Sequence, residues 1–294
     1  MKKKIIFNCL GGAFLLVAII LFLQNTTLIT GAIIGANFFK NINLIVPTFF
    51  FATSILMFAL AKRVHTHYYL QGAREATGSA VIVDTYRGSS LISTLLGEGA
   101  EQIYPVTTPE EARIKAKELK ERGYKVILMG EKDQHTPKDF DFGNSLEDVL
   151  KNTRKIKGAT IVYVSTNAVA GIIEAKKTGK AKEVLIGSPV NRQSLVDYLG
   201  GAEDVSIVAM GEMGRYAEED MDYAEYLKDL LEGKEPSYEE TKQKILRGKT
   251  AQLAGKYHAE FDRDYALRLD QFNVVPRLEG DRIVDALKHK KSKK

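Results

Sequence analysis

A short apolar run passes directly into a polar turn in the segment Ala80-Val81-Ile82-Val83-Asp84-Thr85-Tyr86-Arg87-Gly88-Ser89-Ser90. The apolar part, Ala80–Val83, has the pattern of a short buried strand. The stretch from Ser89 to Leu96 then changes to a helical pattern. A strand, a polar turn and a helix in this order predict one unit of an α/β fold, with the polar turn at the carboxyl end of the strand.

The same alternation continues along the chain. Further strands are predicted over Gln102–Val106, Lys125–Met129, Thr160–Val164, Glu183–Ile186 and Val205–Met210. Helices are predicted over 109–122, Ala168–Lys177, Arg192–Leu199 and Glu218–Leu231. Thr108 and Ser237 each precede a glutamate three residues later, which is the spacing of a capping box at a helix start. We therefore predict an α/β fold with a mainly parallel sheet and helices on both of its faces.

Five of the predicted strands end in polar turns of similar chemistry. The turns are Asp84–Ser90, Gly130–Asp133, Ser165–Asn167, Gly187–Asn191 and Gly211–Arg215, and Glu219-Asp220 follows the last of them. Any one such turn is explained by helix capping or chain reversal. Because the carboxyl ends of parallel strands meet at one sheet edge, we expect the five to gather there. Their acids, hydroxyls, amides and arginine favour a site for Mg²⁺ and phosphate.

Several common active-site patterns are absent from the sequence. It has no Gly-x-x-x-x-Gly-Lys-Ser/Thr loop, no Gly-x-Gly-x-x-Gly helix start and no Gly-x-Ser-x-Gly elbow. The single cysteine, Cys9, excludes a disulfide framework and a zinc site built from several cysteines. His65 and His67 have no third candidate ligand nearby in the sequence, so we do not interpret them as a zinc site.

Charge is distributed unevenly along the 294 residues. The net charge of +5 would by itself suggest a nucleic-acid or membrane-surface binder. However, residues 1–64 hold six basic and no acidic residues, and 288–294 hold five lysines. The remaining 31 basic and 37 acidic residues give 65–287 a net charge of −6. This excludes a basic globular domain, and we expect no nucleic-acid partner because the lysine tail lacks interleaved aromatic residues.

Two uncharged apolar runs, Ile5 to Leu23 and Ile42 to Ala61, are each long enough to cross a bilayer as a helix. A cleaved signal peptide is the alternative for the first run. Lysines before the first run and Lys62-Arg63 after the second place both ends in the cytoplasm. We predict a membrane anchor (1–64), a juxtamembrane linker (65–78), a cytoplasmic α/β domain (79–287) and a basic tail (288–294), which is either solvated or bound to anionic lipid.

The order and spacing of these turns resemble the 2-phosphosulfolactate phosphatase (ComB) family over residues 79–285. The matching segments are 81–90, 99–106, 130–131, 140–145, 165–167, 187–188 with Asn191, 219–220 and 273–278. The resemblance implies an α/β fold and Mg²⁺-dependent hydrolysis of 2-phospho-3-sulfolactate to 3-sulfolactate and phosphate, a step towards coenzyme M.

The chain departs from the family pattern at several turns. The family usually reads Asp-x-x-Arg-Ala-Ser/Thr after the first strand, whereas Gly88 stands here in place of the alanine. A Thr-Asn-Gly-Thr turn becomes Thr166-Asn167-Ala168-Val169, and a Gly-Thr-Glu-Gly turn becomes 211–214 with its acid moved by one position. The predicted two-span anchor is also foreign to the usual soluble enzyme.

We assign roles to the polar residues of these turns as hypotheses. Asp84 is a metal ligand or a catalytic carboxylate, Arg87 binds phosphate or sulfonate, and Glu131 is a Mg²⁺ ligand or a catalytic acid or base. Glu219 and Asp220 are Mg²⁺ ligands or acid–base groups, with helix capping or surface ion pairing as the alternative. The predicted substrate-binding residues are Ser89, Ser90, Thr166, Asn167 and Asn191.

A domain with a net charge of −6 is not expected to attract an anionic substrate over a long distance. Cationic groups within the site must therefore bind the substrate. The further cations considered for this role are Lys132, Arg192 and Arg215. The predicted function is hydrolysis of a small anionic phosphate. Two alternatives remain: a membrane-tethered phosphatase of another small acidic phosphate, and a non-catalytic descendant that binds a ligand or partner. Self-association into a homo-oligomer is also left open.

Overall fold

The computed structural model describes residues 62–132, 135–212, 214–256 and 259–291. The strands of this part are β1 (Arg63–Tyr68), β2 (Gly78–Val83), β3 (Gln102–Val106), β4 (Val126–Gly130), β5 (Thr160–Val164), β6 (Ala181–Ile186), β7 (Asp204–Ala209), β8 (Pro276–Glu279) and β9 (Arg282–Asp285). Its helices are α1 (Tyr69–Glu75), α2 (Gly88–Gly97), α3 (Pro109–Glu121), α4 (Leu146–Lys151), α5 (Thr153–Ile156), α6 (Ala168–Thr178), α7 (Arg192–Tyr198), α8 (Glu218–Leu231), α9 (Tyr238–Arg247), α10 (Lys249–Lys256), α11 (Glu260–Ala266) and α12 (Ala286–Lys291).

The strands form a sheet in the order β1-β7-β2-β6-β8-β9-β3-β5-β4. The block β1-β7-β2-β6 is parallel, and so is the block β3-β5-β4. The hairpin β8–β9 joins the two blocks through antiparallel pairings on both sides. The α/β fold with a mostly parallel sheet is therefore confirmed. The polar turns, however, come from two blocks rather than from one continuous parallel edge.

Helices cover both faces of the sheet, as predicted. In β2, Ile82 packs in a core cluster with Leu91 of α2 and Ile172 of α6. Its neighbours Val81 and Val83 point to the other face, where they pack in the cluster of α8. The strand is thus buried on both faces, which explains its continuous apolar run. Each of these fully buried aliphatic side chains contributes about 1.5–3 kcal/mol through removal from water.

The two predicted helix starts are present at α3 and α9. The hydroxyl of Thr108 accepts a hydrogen bond from the backbone N–H of Glu111 at 3.1 Å. The Glu111 carboxylate reaches back to the backbone N–H of Thr107 at 2.9 Å, one residue earlier than a capping box requires. Ser237 caps α9 by accepting from the backbone N–H of Glu240 at 3.3 Å. Each cap satisfies an N–H that the first turn of a helix leaves without a partner.

The predicted linker, 65–78, is instead part of the folded domain. It contains most of β1, all of α1 and the first residue of β2. Val64 of β1 is opposite Val205 of β7, so β1 extends the sheet as an edge strand. The polar, histidine-containing sequence of β1 concealed this, because an edge strand buries little of its surface. The hairpin β8–β9 was also not predicted.

The two apolar runs that predict membrane spans lie in 1–61, outside the described residues. Among the residues that the structure does describe, none of the helices has the length and apolar character needed to cross a membrane.

Candidate functional site

A cavity of about 470 Å³ opens where several of the polar turns meet. It is lined by Asp84, Tyr86, Arg87, Gly88, Glu131, Asn144, Ser165, Thr166, Asn167, Gly211, Glu212, Glu219, Asp220, Thr250, Leu253, Ala259 and Arg263. The turns after β2, β4, β5 and β7 therefore converge, and both parallel blocks contribute. Seven of the predicted site residues line this cavity, namely Asp84, Arg87, Glu131, Thr166, Asn167, Glu219 and Asp220.

Asp84 lies between the first turns of two helices. Its Oδ1 accepts a hydrogen bond from the backbone N–H of Gly88, in the first turn of α2, at 3.3 Å. The backbone N–H of Ala168, at the start of α6, also donates to this carboxylate. Burial nevertheless raises the pKa of Asp84 to about 6, against the effect of both N–H groups and the positive charge of Arg87. Helix N-termini favour negative charge, so this position suits a carboxylate or a phosphate.

Two further carboxylates at the start of α8 face the same cavity. Asp220 accepts hydrogen bonds from the backbone N–H of Thr85 at 2.7 Å and of Gly211 at 2.9 Å. Burial raises its pKa well above the usual value, and the nearby negative charges of Asp84 and Glu219 raise it further. Burial, together with the charge of Asp84, also raises the pKa of Glu219 to about 7. These pKa shifts indicate an excess of negative charge that a bound cation would relieve.

Arg87 is held at the cavity wall by a buried acidic residue from a distant part of the chain. Its Nη1 donates to Asp262 Oδ2 at 2.8 Å, and its Nη2 lies 3.7 Å from Glu131 Oε2. Asp262 Oδ1 also accepts from the backbone N–H of Glu147 at 2.9 Å and from the Ser145 hydroxyl at 3.2 Å. The peptide bond that precedes Arg87 is cis. Since Asp262 is bound from three sides, it gives the guanidinium a defined direction.

The turn after β5 brings an amide and two hydroxyls to the cavity. Ser165, Thr166 and Asn167 line it just before α6 begins. The Asn167 side chain donates to the backbone carbonyl of Gly211 at 3.1 Å, which joins this turn to the turn after β7. Gly211 has φ +64°, and a Cβ there would lie 2.1 Å from the Arg215 carbonyl oxygen. Glycine is therefore required at this crossing of two turns.

Ser89 and Ser90 were predicted to bind substrate, but the structure places both in the buried base of α2. The Ser89 hydroxyl donates to the Ile82 carbonyl at 3.1 Å and accepts from the backbone N–H of Asp84 at 2.9 Å. The Ser90 hydroxyl donates to the Thr85 carbonyl at 3.0 Å. Both serines thus stabilise the turn that carries Asp84, and neither lines the cavity.

Asn191 was also predicted to bind substrate and is likewise a structural residue. Its Oδ1 accepts from the backbone N–H of Ser188 at 3.0 Å. Its Nδ2 donates to the carbonyls of Ile186 at 3.3 Å and of Val274 at 3.4 Å. This buried amide therefore ties the end of β6 to the segment before β8. Cap-forming residues and substrate-binding residues have the same chemistry, so sequence alone did not separate them.

The three further cations considered for the site do not line the cavity. Arg192 instead pairs with Asp270 and donates to the Tyr226 hydroxyl at 3.0 Å. Lys132 and Arg215 lie in the turns after β4 and β7 but are absent from the cavity wall. The cation that sequence reasoning missed is Arg263, which lines the cavity from α11.

Four of the missed residues come from the segment that follows α8. Thr250, Leu253 and Arg263 line the cavity, and Asp262 holds Arg87. The prediction selected polar residues in the turns directly after strands. None of these four residues lies in such a turn, so none was selected. The sequence offered only the helical patterns of this segment as a signal.

Gly88 and Ala168 explain two of the departures from the family pattern. A Cβ at Gly88 would lie 2.5 Å from the Ala168 Cβ and 2.9 Å from Asp84 Oδ2. The usual pattern has alanine at the first position and glycine at the second, so the two changes are reciprocal. One methyl group between α2 and α6 is therefore expected in either arrangement.

Within the described residues, no group of three or more His, Cys, Asp or Glu side chains is arranged to hold a metal ion. The donor set nevertheless has the chemistry that Mg²⁺ uses, because this ion binds one or two carboxylates and completes its shell with water and phosphate oxygens. Asp84 and Glu219 supply two such carboxylates at the cavity, with Asp220 beside them.

A family model described as 2-phosphosulpholactate phosphatase matches residues 64–281. A protein from Thermotoga petrophila named "Probable 2-phosphosulfolactate phosphatase" is 38% identical over 142 residues, which are 48% of this chain and 57% of the relative. A protein of the same name from Thermoplasma acidophilum is 30% identical over 70% of this chain and 88% of the relative. Another from Carboxydothermus hydrogenoformans is 30% identical over 76% of this chain and 96% of the relative. The match thus spans little more than half the length of the Thermotoga relative, but nearly all of the Carboxydothermus one.

Proposed function

The chain belongs to the 2-phosphosulfolactate phosphatase family, and from this premise we propose that it hydrolyses the phosphate ester of a small acidic substrate. The substrate we propose is 2-phospho-3-sulfolactate, with 3-sulfolactate and phosphate as products. The observation that carries this proposal is the cavity in which Asp84, Arg87 and Glu219 meet at the N-termini of α2 and α6. Carboxylates for a cation beside donors for an anion are what phosphoryl transfer requires.

Phosphate binding is assigned to Arg87 and the turn before α6. The pairing of Arg87 Nη1 with Asp262 leaves the guanidinium at the cavity wall, where its remaining N–H groups can donate to phosphate oxygens. Thr166 and Asn167 offer a hydroxyl and an amide on the neighbouring wall. Glu131, near Arg87, helps to orient it and also accepts the backbone N–H of Asn144 at 3.2 Å.

We propose that Asp84 and Glu219 hold Mg²⁺, directly or through its water ligands, and that Asp220 adds negative charge beside them. The ion would supply positive charge to the phosphoryl oxygens as negative charge develops on them. Burial raises the pKa of all three carboxylates, and the negative charge of Asp84 raises those of Glu219 and Asp220 further, which supports the assignment because a bound cation would relieve both effects. Asp220 has both oxygens occupied by backbone N–H groups, so its main effect is to add charge and orient the turns.

Hydrolysis also needs a proton to be moved between water and the leaving oxygen. Burial and the charge of Asp84 raise the pKa of the Glu219 carboxyl to about 7. A group with such a pKa exchanges protons efficiently under physiological conditions. We therefore assign the proton transfer to Glu219, whose contact with the ion would then be through a water ligand, while Asp84, with a pKa of about 6, is mainly negatively charged at neutral pH.

We also propose that the chain is anchored in the cytoplasmic membrane with its α/β domain in the cytoplasm. The apolar runs Ile5 to Leu23 and Ile42 to Ala61 and the basic residues that flank them support this location. Protease accessibility of a carboxyl-terminal tag in sealed inverted vesicles and in intact cells tests it. Cleavage only in the inverted vesicles is expected, and cleavage in intact cells would refute the orientation.

Phosphate release by the purified full-length chain tests the activity. 2-Phospho-3-sulfolactate is offered beside other small phosphorylated acids, with Mg²⁺ and with a chelator. Mg²⁺-dependent release that is fastest from 2-phospho-3-sulfolactate is the expected result. Release only from other phosphates selects a phosphatase of different substrate, and no release by the folded chain selects a ligand-binding descendant. Equal release with chelator would refute the Mg²⁺ assignment.

A further inference from the structure

Arg263 is the second cation of the cavity wall, and the proposed hydrolysis leaves it without a role. Among the described residues that line the cavity, Arg87 and Arg263 are the two that carry positive charge. Arg263 lies in α11, directly after Asp262, so one helix both anchors Arg87 and presents a second guanidinium to the same cavity. Its side chain is 23% exposed, which leaves it accessible to a ligand.

The two arginines differ in how firmly they are held. Arg87 is paired with Asp262, whose side chain is only 5% exposed and which accepts two further hydrogen bonds. Arg263 is paired with its neighbour Asp264 at 2.7 Å, and the Asp264 side chain is 56% exposed. An exposed ion pair is worth little and exchanges readily. Arg263 can therefore leave Asp264 for a ligand at small cost, whereas Arg87 cannot leave Asp262 without stranding a buried charge.

The negative charge of the cavity wall favours a second cationic group that binds the substrate. The wall carries the acidic residues Asp84, Glu131, Glu212, Glu219 and Asp220. In the proposed function, the bound cation and Arg87 both interact with the phosphate group of the substrate and with no other part of it. A substrate that carries another acidic group would place it against this negative wall unless a separate cation receives it. A planar guanidinium binds carboxylate or sulfonate through two parallel hydrogen bonds.

We propose that Arg263 binds the acidic group of the substrate that is remote from the phosphate and thereby selects phosphate esters of acids over simple phosphate esters. This inference rests on the proposed phosphatase function and adds a specificity-determining residue to it. Asp264 is the resting partner that the substrate's acid displaces. Arg263 is thus a binding residue for the part of the substrate that does not react.

Three substrates separate the groups that Arg263 could bind. 2-Phospho-3-sulfolactate carries sulfonate and carboxylate, 2-phospholactate lacks the sulfonate, and the phosphate ester of 2-hydroxyethanesulfonate lacks the carboxylate. The experiment measures kcat/KM of the full-length chain and of Arg263→Gln on each, with p-nitrophenyl phosphate as an ester without an acid. We expect Arg263→Gln to lower kcat/KM about 10- to 100-fold on substrates that carry the recognised acid. This is the contribution expected of a charge-assisted hydrogen-bonded pair. We expect a loss of less than about threefold on p-nitrophenyl phosphate, where only the local charge changes.

The pattern of losses identifies the acid. A large loss on both sulfonate-bearing substrates but not on 2-phospholactate assigns Arg263 to sulfonate. A large loss on both carboxylate-bearing substrates but not on the phosphate ester of 2-hydroxyethanesulfonate assigns it to carboxylate. An equal loss on all four esters would overturn the proposal, because it would mean a general role in phosphate binding or folding. No loss on any of them would overturn it as well.

Two control variants sharpen the result. Arg268→Gln removes an exposed arginine that stacks on Tyr265 outside the cavity wall, and it should leave all four kcat/KM values unchanged. Asp264→Asn removes the competing partner, so it should keep or improve kcat/KM for the acid-bearing substrates. A tenfold loss in Asp264→Asn would contradict the exchange of partners.

Calorimetric titration makes the test independent of turnover. The same acid-bearing phosphates and inorganic phosphate are titrated into both chains. If the wild-type chain hydrolyses nothing, the proposed function fails, yet weaker binding of the acid-bearing compounds alone to Arg263→Gln still supports the inference. Equal binding by the two chains would overturn it.

Discussion

The reciprocal packing of Gly88 and Ala168 leads to a prediction with a calculable size. A methyl group added at position 88 would lie 2.5 Å from the Ala168 Cβ, about 1 Å inside an ordinary carbon–carbon contact. Overpacking of this kind costs about 1–3 kcal/mol, partly offset by about 0.4–1 kcal/mol because alanine restricts the unfolded chain. Gly88→Ala alone should therefore lower the free energy of unfolding by about 1–2 kcal/mol. It should also displace the carboxylate of Asp84, whose Oδ2 would lie 2.9 Å from the new methyl group.

Ala168→Gly should also be destabilising by itself. It removes one buried methyl group, worth about 0.8 kcal/mol, and adds a flexible residue at the start of a helix, at about 0.5–1 kcal/mol. In the double variant, the new methyl at position 88 fills the space that the old one leaves at position 168. Its free energy of unfolding should come within about 1 kcal/mol of wild type, so the two changes should couple by about 1–4 kcal/mol.

Urea unfolding of the four full-length chains, followed by circular dichroism, measures this coupling. Phosphate release in the same four chains reports on Asp84, and it should fall in Gly88→Ala and recover in the double variant. If the two destabilisations simply add to within about 0.5 kcal/mol, the positions are independent and the reciprocal packing is refuted.

The remaining predictions concern three carboxylates and one buried amide. Asp262→Asn should lower kcat/KM about 10- to 100-fold, mainly through KM, because Arg87 loses its charged partner; an unchanged KM would contradict this. Because burial raises the folded-state pKa of Asp84 from 3.8 to about 6, the folded chain binds more protons than the unfolded chain between these pH values. Without metal, the free energy of unfolding should therefore fall by about 3 kcal/mol as pH rises through this window, and titration of Glu219 should extend the fall towards pH 7. Mg²⁺ should restore the stability at neutral pH. A flat pH profile in urea unfolding would oppose this assignment. Asn191→Ala should destabilise by about 1–3 kcal/mol because it strands buried backbone groups, while the KM of the folded chain stays the same.

Much of the fold could be predicted from local patterns. Strands buried on both faces, such as β2 and β5, are continuous apolar runs, and the cap at Thr108 marks the start of α3. The edge strand β1 and the hairpin β8–β9 escaped prediction because they have mixed polarity and take their structure from the strands they pair with. The antiparallel pairings of β8 with β6 and of β9 with β3 join strands that are far apart in the sequence, and no local pattern encodes them.

Seven of the seventeen residues that line the cavity followed from the rule that functional residues gather after strands. This rule selected Asp84, Glu131 and Thr166, which line the cavity. It failed for Ser89 and Asn191, since hydroxyls and amides satisfy backbone groups in the same turns where they could bind ligands. It could not reach Asp262 or Arg263, because their relation to Arg87 arises only when α11 packs against a turn some 175 residues earlier.

Phosphate release from 2-phospho-3-sulfolactate by wild type and by Asp84→Asn tests the central claim most directly. Asp281→Asn serves as the matched control, since this carboxylate is exposed, lies outside the cavity wall and pairs only loosely with Lys115 at 3.6 Å. With Mg²⁺, wild type and the control should release phosphate at the same rate. Asp84→Asn should be slower by at least about 100-fold while remaining folded. Retention of most activity by folded Asp84→Asn would contradict the account, as would the absence of Mg²⁺-dependent release from the wild-type chain.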